Sequence, residues 1–502
     1  MMNTLTILFV LGFLVPNEDA PDKPDSNLTT HGVRPSTIKL EPCKNPGTED
    51  WGLCGTYDVY ENRESMQGRT IAMKVVVYPA KGQETKPDPL FIFVGGPGQG
   101  AASVAGFLVS DMDDVRAQRD VVLIDQRGTG DSNQLRCKFL GPENSLQTYL
   151  TDMFPVDYVE ACRKDLETRA DLTKYTSDIA MDDIDEIRAA LGYDKINISG
   201  GSYGTRACMV YMRRHGESVR TASLLGTAPV FMAMPGTFAE ETEAALQRVI
   251  GDCEKDEPCN NAFPKFRDNL ETLHKRLLQG PIETEVINPM TKEKEKISFG
   301  LGPFLTIVRA MLYGVRASTE LPLVIEQASK GDFNRLAVYA AMYAKGINEG
   351  LAEGMYLSIT CAEDIPYFDY KASEERAKGT LLGDYRIFQQ RRACEYWPRA
   401  EISEGYRDPV KSSIPTLLLS GEVDPVTPPH WGEEVARHLT NSLHVSVPNA
   451  AHSLGLSDEH GLNELMLKFL ETASVEDLDP SPLKQVKRPP FVIDEKEARK
   501  LD

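Results

Sequence analysis

Residues 196–206 read INISGGSYGTR and place three glycines around one serine, where an apolar strand pattern changes to a helical one. Glycine inside a strand or helix costs about 0.5–1 kcal/mol relative to alanine, so this density indicates a backbone that alanine could not adopt. Residues 200–204, GGSYG, fit the pattern G-x-S-x-G, in which a serine lies on a sharp strand-to-helix turn with its hydroxyl exposed. The pattern predicts Ser202 as a nucleophile. The alternative is a Gly-rich turn that contains a serine by chance, which would have the same sequence pattern.

The sequence around this turn alternates short apolar runs with helical patterns from about residue 70. Such alternation predicts an α/β class protein with a mostly parallel sheet flanked by helices. The predicted strands are TIAMKVVVYPA, PLFIFVGG, DVVLIDQRG, KINISGG, TASLLGT, IPTLLLSG and LHVSVP.

The alternation stops after residue 229 and resumes near residue 414, and the stretch between is largely helical in pattern. A helical insertion at this place predicts a cap over the carboxyl ends of the strands, where such sheets bind ligands. The predicted helices are FAEETEAALQRVI, FRDNLETLHKRLL, FLTIVRAMLYGV, ELPLVIEQASK and FNRLAVYAAMYAKGI. We expect five segments: a signal peptide (1–20), a first core part (40–230), the helical cap (231–410), a second core part (411–475) and a C-terminal extension (476–502).

The composition excludes some partners and favours export. A net charge of −20 over 502 residues argues against nucleic acid and anionic membrane surfaces. The opening MMNTLTILFVLGFLVPNEDA is too short to span a bilayer and about right for a secretory signal. A secreted or periplasmic protein is therefore predicted, with a short membrane anchor or a buried helix as alternatives.

The nine cysteines also favour an oxidising compartment, because eight of them fall into four plausible pairs. Cys208 remains in the apolar run ACMVYM, where a free thiol behaves as a small hydrophobe. Nine reduced cysteines in a cytosolic protein are the alternative. The predicted pairs are Cys43–Cys54, Cys137–Cys162, Cys253–Cys259 and Cys361–Cys394.

A second glycine cluster, FIFVGGPGQG at 91–100, follows an earlier predicted strand. In a G-x-S-x-G sheet protein this loop supplies one N–H of the oxyanion hole, and the residue after the serine supplies the other. Gly95 and Gly96 are the candidates for the first donor, and Tyr203 is the candidate for the second.

A serine nucleophile needs a base, and the base needs an orienting acid, in the chain order Ser, Asp or Glu, His. The strand IPTLLLSG leads into the loop that contains Asp424, and LHVSVP leads into the loop that contains His452. Both loops are expected at the same sheet edge as Ser202. Asp424 could instead cap the next helix, and the rival residues are Glu422, His430, His444 and His460.

Together, GGPGQG, DQRGTGDS, GGSYGTR, GEVDPVTPP and NAAHS resemble α/β-hydrolases of the proline iminopeptidase type, and most closely the exported tripeptidyl aminopeptidase-like peptidases. The resemblance covers roughly residues 40–475 and implies an α/β-hydrolase fold with an inserted helical cap. It also implies Ser202 as nucleophile, His452 as base and Asp424 as orienting acid, without a metal or organic cofactor. Val94 departs from the pattern, since many iminopeptidases have histidine before GGPG.

The same resemblance implies that cap carboxylates hold the free amino group of the substrate. Glu363 and Asp364 are the candidates because a disulfide at Cys361 would fix their segment near the cap's return to the core. They could also be solvated surface acids. Asp125 and Arg127 are expected to brace the loop beside the site.

The expected activity is that of a secreted serine exopeptidase, which releases one or a few residues from peptides with a free N-terminus through an acyl-enzyme. A carboxylesterase or lipase would use the same triad under an apolar cap. A binding protein on an inactive hydrolase fold is the non-enzymatic alternative. The residue preference and the oligomeric state stay open.

Overall fold

The computed structural model describes residues 28–45, 47–110, 112–454 and 460–498. The predicted signal peptide, residues 1–20, lies outside these described residues. Within the described ranges, no helix has both the length and the apolar character needed to cross a bilayer.

The strands belong to one large sheet and one separate hairpin. They are β1 (Glu41–Lys44), β2 (Trp51–Tyr60), β3 (Thr70–Tyr78), β4 (Leu90–Phe93), β5 (Val121–Ile124), β6 (Ile196–Gly201), β7 (Val219–Leu225), β8 (Ile282–Ile287), β9 (Lys294–Phe299), β10 (Thr416–Gly421) and β11 (Ser442–Val447). The large sheet has nine strands in the order β1-β2-β3-β5-β4-β6-β7-β10-β11, and β8 pairs with β9.

The large sheet is mostly parallel, as predicted. The pairs from β5 across to β11 are parallel, while β1, β2, β3 and β5 pair antiparallel. All seven predicted strands are present. The prediction missed β1 and β2 because the run WGLCGTYDVY mixes glycine, cysteine and aspartate, and its strand conformation depends on pairing with β3.

Helices cover the sheet and fill the stretch between β7 and β10. They are α1 (Ala105–Val109), α2 (Asp113–Arg116), α3 (Val156–Leu166), α4 (Ser177–Ala190), α5 (Tyr203–His215), α6 (Phe238–Lys255), α7 (Glu257–Ala262), α8 (Phe266–Leu277), α9 (Leu301–Met311), α10 (Val315–Ser329), α11 (Asn334–Gly350), α12 (Glu353–Glu363), α13 (Tyr370–Ala377), α14 (Tyr385–Tyr396), α15 (Pro429–Ala436), α16 (Leu462–Thr472) and α17 (Glu495–Ala498).

The insertion between β7 and β10 contains α6 to α14 and the β8–β9 hairpin. The five predicted helical patterns coincide with α6, α8, α9, α10 and α11. The hairpin was not predicted, since its strands IETEVI and KEKISF are rich in charge and largely exposed. The limits of the core and cap segments stay predictions.

All four predicted disulfides are confirmed, and Cys208 is free and buried in α5. Disulfides are typical of proteins from oxidising compartments. The Cys361–Cys394 bond joins α12 to α14, two helices that contribute side chains to the cavity described below. The bonds are Cys43–Cys54, Cys137–Cys162, Cys253–Cys259 and Cys361–Cys394.

Candidate active site

Ser202 lies on the turn between β6 and α5, with φ 56° and ψ −124°. Residues other than glycine rarely adopt a positive φ, and such strain is often found at functional sites. The flanking glycines permit the turn because the chain passes close to itself there. A Cβ on Gly204 would lie 2.1 Å from the carbonyl oxygen of Phe93, and one on Gly200 would lie 2.3 Å from that of Gly204. Strand and helix can therefore meet only with glycine at these two positions.

The predicted oxyanion-hole residues surround this turn. A Cβ on Gly95 would lie 3.2 Å from Cβ of Ser202, so the Gly95 backbone packs directly against the serine. Gly96 follows in the same loop and, like Gly95, lines the cavity into which Ser202 opens. Tyr203 is the first residue of α5, where backbone N–H groups have no partner within the helix. The structure thus places Gly95 and Tyr203 beside Ser202 and Gly96 in the lining of the same cavity, and the role of their N–H groups as oxyanion donors stays a prediction.

Asp424 and His452 meet on the loops that follow β10 and β11. Nδ1 of His452 lies 2.9 Å from Oδ2 and 3.1 Å from Oδ1 of Asp424. The carboxylate also accepts the backbone N–H groups of Val426 at 2.7 Å and Thr427 at 2.9 Å, and the Thr427 hydroxyl at 2.8 Å. Because Nδ1 faces Asp424, Nε2 is the ring nitrogen left to exchange a proton with a substrate or nucleophile.

The hydrogen bonds determine the charge of Asp424. Burial works to raise its pKa, but His452 and the Thr427 hydrogen bonds outweigh burial and hold the pKa below its ordinary value. The carboxylate therefore stays ionised at neutral pH. An ionised acid at Nδ1 both orients an imidazole and stabilises the imidazolium that forms when His452 accepts a proton.

Ser202 and His452 open into one cavity of about 1660 Å³. Side chains from α6, α9, α11, α12 and α14 line it on the side of the insertion. In the described part of the chain, Ser202 and His452 are not hydrogen-bonded to each other, and no group of three His, Cys, Asp or Glu side chains is placed to hold a metal ion.

Two protein-family models match the two ends of the core, and each match extends into the insertion. One, described as alpha/beta hydrolase fold, matches residues 88–256, which contain the Ser202 turn and the glycine loop. The other, described as TAP-like protein, matches residues 380–482, which contain Asp424 and His452. The chain is an α/β-hydrolase of the TAP-like family.

This TAP-like hydrolase is similar to the protein named serine protease Hip1 from Mycobacterium tuberculosis and Mycobacterium bovis. The identity is 24% over 477 residues, which cover 86% of this chain and 88% of the relative. Among solved structures, proline iminopeptidase from Mycobacterium smegmatis is 16% identical, with a TM-score of 0.36, and covers 83% of this chain and 98% of its own. A thermophilic esterase from Thermogutta terrifontis is 14% identical, with a TM-score of 0.36, and covers 84% and 99%.

Glu363 and Asp364 do not lie where the amine-binding prediction placed them. Both are fully buried, and neither lines the cavity, so they are not solvated surface acids either. Glu363 accepts the Ser177 N–H at 2.7 Å, the Ser177 hydroxyl at 2.9 Å and the Tyr406 hydroxyl. Asp364 pairs with Arg206 at 3.0 Å. These contacts join the end of α12 to α4 and α5 in the TAP-like hydrolase. This placement corrects the prediction that Glu363 and Asp364 bind the substrate amine.

The bracing role predicted for the loop beside the site agrees with the contacts. Asp125 accepts the backbone N–H groups of Ala102 at 2.8 Å and Asp131 at 2.9 Å, while Arg127 pairs with Asp183 at 2.6 Å. Burial raises the pKa of Asp125 to about 6. Asp125 thus ties the loop after β5 to the segment that follows the glycine loop.

Sequence reasoning missed several cavity residues of the TAP-like hydrolase. Thr427 bonds both Asp424 and His452, and its position three residues after the acid is a recognisable turn signal. Arg309 was missed although it is a lone charge in the apolar run FLTIVRAM, a place where charges are rare. Tyr313 packs edge-to-face on His452 with ring centroids 4.9 Å apart, and no local pattern indicated that contact.

Proposed function

We propose that this TAP-like hydrolase is a serine peptidase that releases one or a few residues from the N-terminus of peptides through an acyl-enzyme. The observation that carries the proposal is the Ser202 turn, which opens beside the His452–Asp424 pair into a cavity lined by inserted helices. The similarity to serine protease Hip1 supports peptide rather than ester chemistry.

In the proposed reaction, Nε2 of His452 takes the proton of the Ser202 hydroxyl as its oxygen attacks the scissile carbonyl. Asp424 stabilises the imidazolium through Nδ1. The N–H groups of Tyr203 and of Gly95 or Gly96 hold the oxyanion of the tetrahedral intermediate. His452 then gives its proton to the leaving amine, and water hydrolyses the acyl-enzyme by the same steps in reverse order.

A chain end is the substrate we favour, because helices of the insertion form one side of the cavity into which Ser202 opens. Glu353, at the start of α12, is the carboxylate we assign to the substrate's ammonium group. It lines the cavity, accepts hydrogen bonds from Tyr158 and from Asn348 at 3.4 Å, and has no ion-pair partner among the described residues. Burial raises the pKa of Glu353, and an arriving ammonium would favour its ionised form.

The test compares a free-amine peptide with its N-acetylated counterpart. We expect acetylation to lower kcat/KM by at least about 10², or some 2.7 kcal/mol, because it removes the ammonium and leaves a buried carboxylate unpaired. Glu353→Gln should reproduce much of this loss on the free peptide. Glu349→Gln, which removes an exposed carboxylate four residues away and outside the cavity lining, is the matched control.

Equal rates on free and acetylated peptides would refute the exopeptidase proposal. Turnover of acetylated peptides would then indicate an endopeptidase, and turnover of simple esters alone would indicate a carboxylesterase. If acetylation lowers kcat/KM but Glu353→Gln does not, the exopeptidase proposal stands and Glu353 is not the residue that binds the ammonium group.

We also propose that the protein is exported. Four disulfides support this proposal, since such bonds persist in oxidising compartments. Expression with and without residues 1–20, followed by fractionation of cells and medium, tests it. Retention of the full-length protein in the cytosol would contradict export.

A further inference from the structure

Among the residues that the structure describes, Arg309 is a buried cation without a hydrogen-bond or ion-pair partner. Its side chain belongs to the last turn of α9, the residue is 8% exposed, and it lines the cavity. Nε and Nη2 are both buried and make no hydrogen bond within the described residues, where Arg309 also forms no ion pair. An arginine carries five N–H donors and stays charged, so such an arrangement is unusual for a structural residue.

The contacts that Arg309 does make stabilise the cation without using its N–H groups. Cζ lies 4.3 Å from the ring centroid of Phe238 and 5.0 Å from that of Tyr313. Stacking on aromatic rings and the helix C-terminus both favour a positive charge. Neither replaces the hydrogen bonds that the N–H edge would make in water.

A second arginine contributes positive charge to the same cavity. Arg386 on α14 is 7% exposed and donates to two neutral acceptors, the Tyr356 hydroxyl and, at 3.1 Å, Oε1 of Gln390. Its Nε is buried without a partner. Arg386, Arg309 and Tyr343 of α11 all line this cavity.

Arg309 is close to the reacting groups. Its Cζ is 5.0 Å from the Tyr313 centroid, and that ring is 4.9 Å from the His452 ring, so the two ends are no more than about 10 Å apart. The Ser453 N–H donates to the Tyr313 carbonyl at 3.0 Å and ties the histidine loop to the end of α9. One residue of extended chain spans at most about 3.3–3.6 Å. About three residues of extended chain therefore reach from Arg309 to the His452 ring, which lies beside the bond that is cleaved.

We propose that Arg309, with Arg386 as a second cation, binds a carboxylate of the substrate within about three residues of the cleaved bond. This inference rests on the proposed peptidase function and gives its specificity. Two guanidinium groups that share one cavity and form no ion pair with the described residues attract an anion, and the planar N–H fork of arginine fits a carboxylate. The carboxylate is either an Asp or Glu side chain or the free C-terminus of a short peptide.

The test measures binding without turnover, by calorimetry on the full-length Ser202→Ala protein. Two matched pairs separate the sources of the carboxylate: Ala-Glu-Ala amide against Ala-Gln-Ala amide, and Ala-Ala-Ala acid against its amide. We expect the charged member of at least one pair to bind on the order of tenfold to a hundredfold more tightly. The pair that shows the difference identifies the source.

Arg309→Met in the Ser202→Ala protein should bring the ratio for that pair close to one, and Arg309→Lys should retain part of it. The control is Arg316→Met, which removes the same charge from an exposed site outside the cavity and should keep the ratio. Equal affinities within both pairs, or a ratio that survives Arg309→Met, would overturn the inference. If the ratio is found but the wild-type protein cleaves none of these peptides, the carboxylate site stands and the proposed peptidase function fails.

Discussion

Two buried arginines, Arg206 behind the nucleophile and Arg309 in the cavity, differ in what surrounds them. Arg206 pairs with Asp364 at 3.0 Å and donates to the carbonyls of Met232 at 2.8 Å and Pro229 at 3.3 Å. Arg309 meets two aromatic rings and, in the described ranges, no acceptor. Removing a charge from water is costly in both places, but among the described residues only Arg206 has an ion-pair partner. The comparison indicates that Arg206 supports the fold, and it agrees with the proposal that Arg309 binds a ligand.

The Arg206 cluster stabilises the helix that carries the nucleophile. Arg206 is four residues after Ser202 on α5, and Asp364 follows the end of α12. Glu363 accepts from Ser177 at the start of α4, and the Ser177 hydroxyl lies 2.8 Å from the Tyr203 hydroxyl. One insertion segment thus holds α4 and α5 from behind, while other insertion helices form the cavity in front of Ser202.

The largest predicted effect tests whether the cavity that Arg309 lines is the catalytic site. Ser202→Ala should lower kcat by about 10⁶, as loss of the nucleophile does when triad members act as a unit. A fluorophosphonate should label the wild-type protein at Ser202 and leave the variant unlabelled. Ser103→Ala, at another serine of the cavity lining, should keep both labelling and turnover. More than a hundredth of the activity remaining in Ser202→Ala would contradict the assignment.

The second prediction distinguishes the two arginines by how their replacement changes the free energy of unfolding. Arg206→Met should lower the free energy of unfolding by roughly 3–5 kcal/mol, because it leaves the buried Asp364 carboxylate with only the more distant Arg407, at 4.0 Å, as a cation. Arg309→Met should leave the unfolding free energy unchanged or raise it, since it removes a buried charge that lacks an ion-pair partner among the described residues. Urea unfolding of both variants measures the difference. Similar losses in the two variants would show that Arg309 is structural too.

The smallest predicted effect is a change in the pH dependence of stability, and it concerns only the Arg206 cluster. Burial raises the pKa of Glu363 to about 7 from the ordinary 4.5, against the charge of Arg206 and the Ser177 hydrogen bond. The folded state therefore holds a proton that the unfolded state releases. This contribution is complete below about pH 4.5 and is lost as pH rises through 7, by about 3 kcal/mol at most.

Glu363→Gln keeps the shape of the side chain and cannot ionise, so the loss of stability between pH 4.5 and 7 should shrink in this variant. Urea unfolding at several pH values measures it, with Glu349→Gln as the exposed control. An unchanged pH profile in Glu363→Gln would show that another group carries the proton.

The turn around Ser202, the order of its partners and the disulfide pairs could be predicted because each depends on short-range rules. Only glycine permits the close approach at Gly200 and Gly204, and the chain order after parallel strands places Asp424 and His452 at one sheet edge. β1 and β2 could not be predicted in the same way, since they lack a local apolar pattern and form by pairing, β1 with β2 and β2 with β3.

The role of each charged residue was decided by tertiary structure alone. Glu363 and Asp364 were predicted to bind the substrate amine, with solvated surface acids as the alternative, yet the fold buries them against Arg206 and Ser177 from distant parts of the chain. Arg309 reads as one charge on an apolar helix, and only the packing of α9 beside the His452 loop turns it toward the cavity. The sequence by itself determined which backbone can form the nucleophile turn, because that depends on neighbours along the chain. Compensation of a charge depends on neighbours in space, so the tertiary structure determined which charges are paired among the described residues.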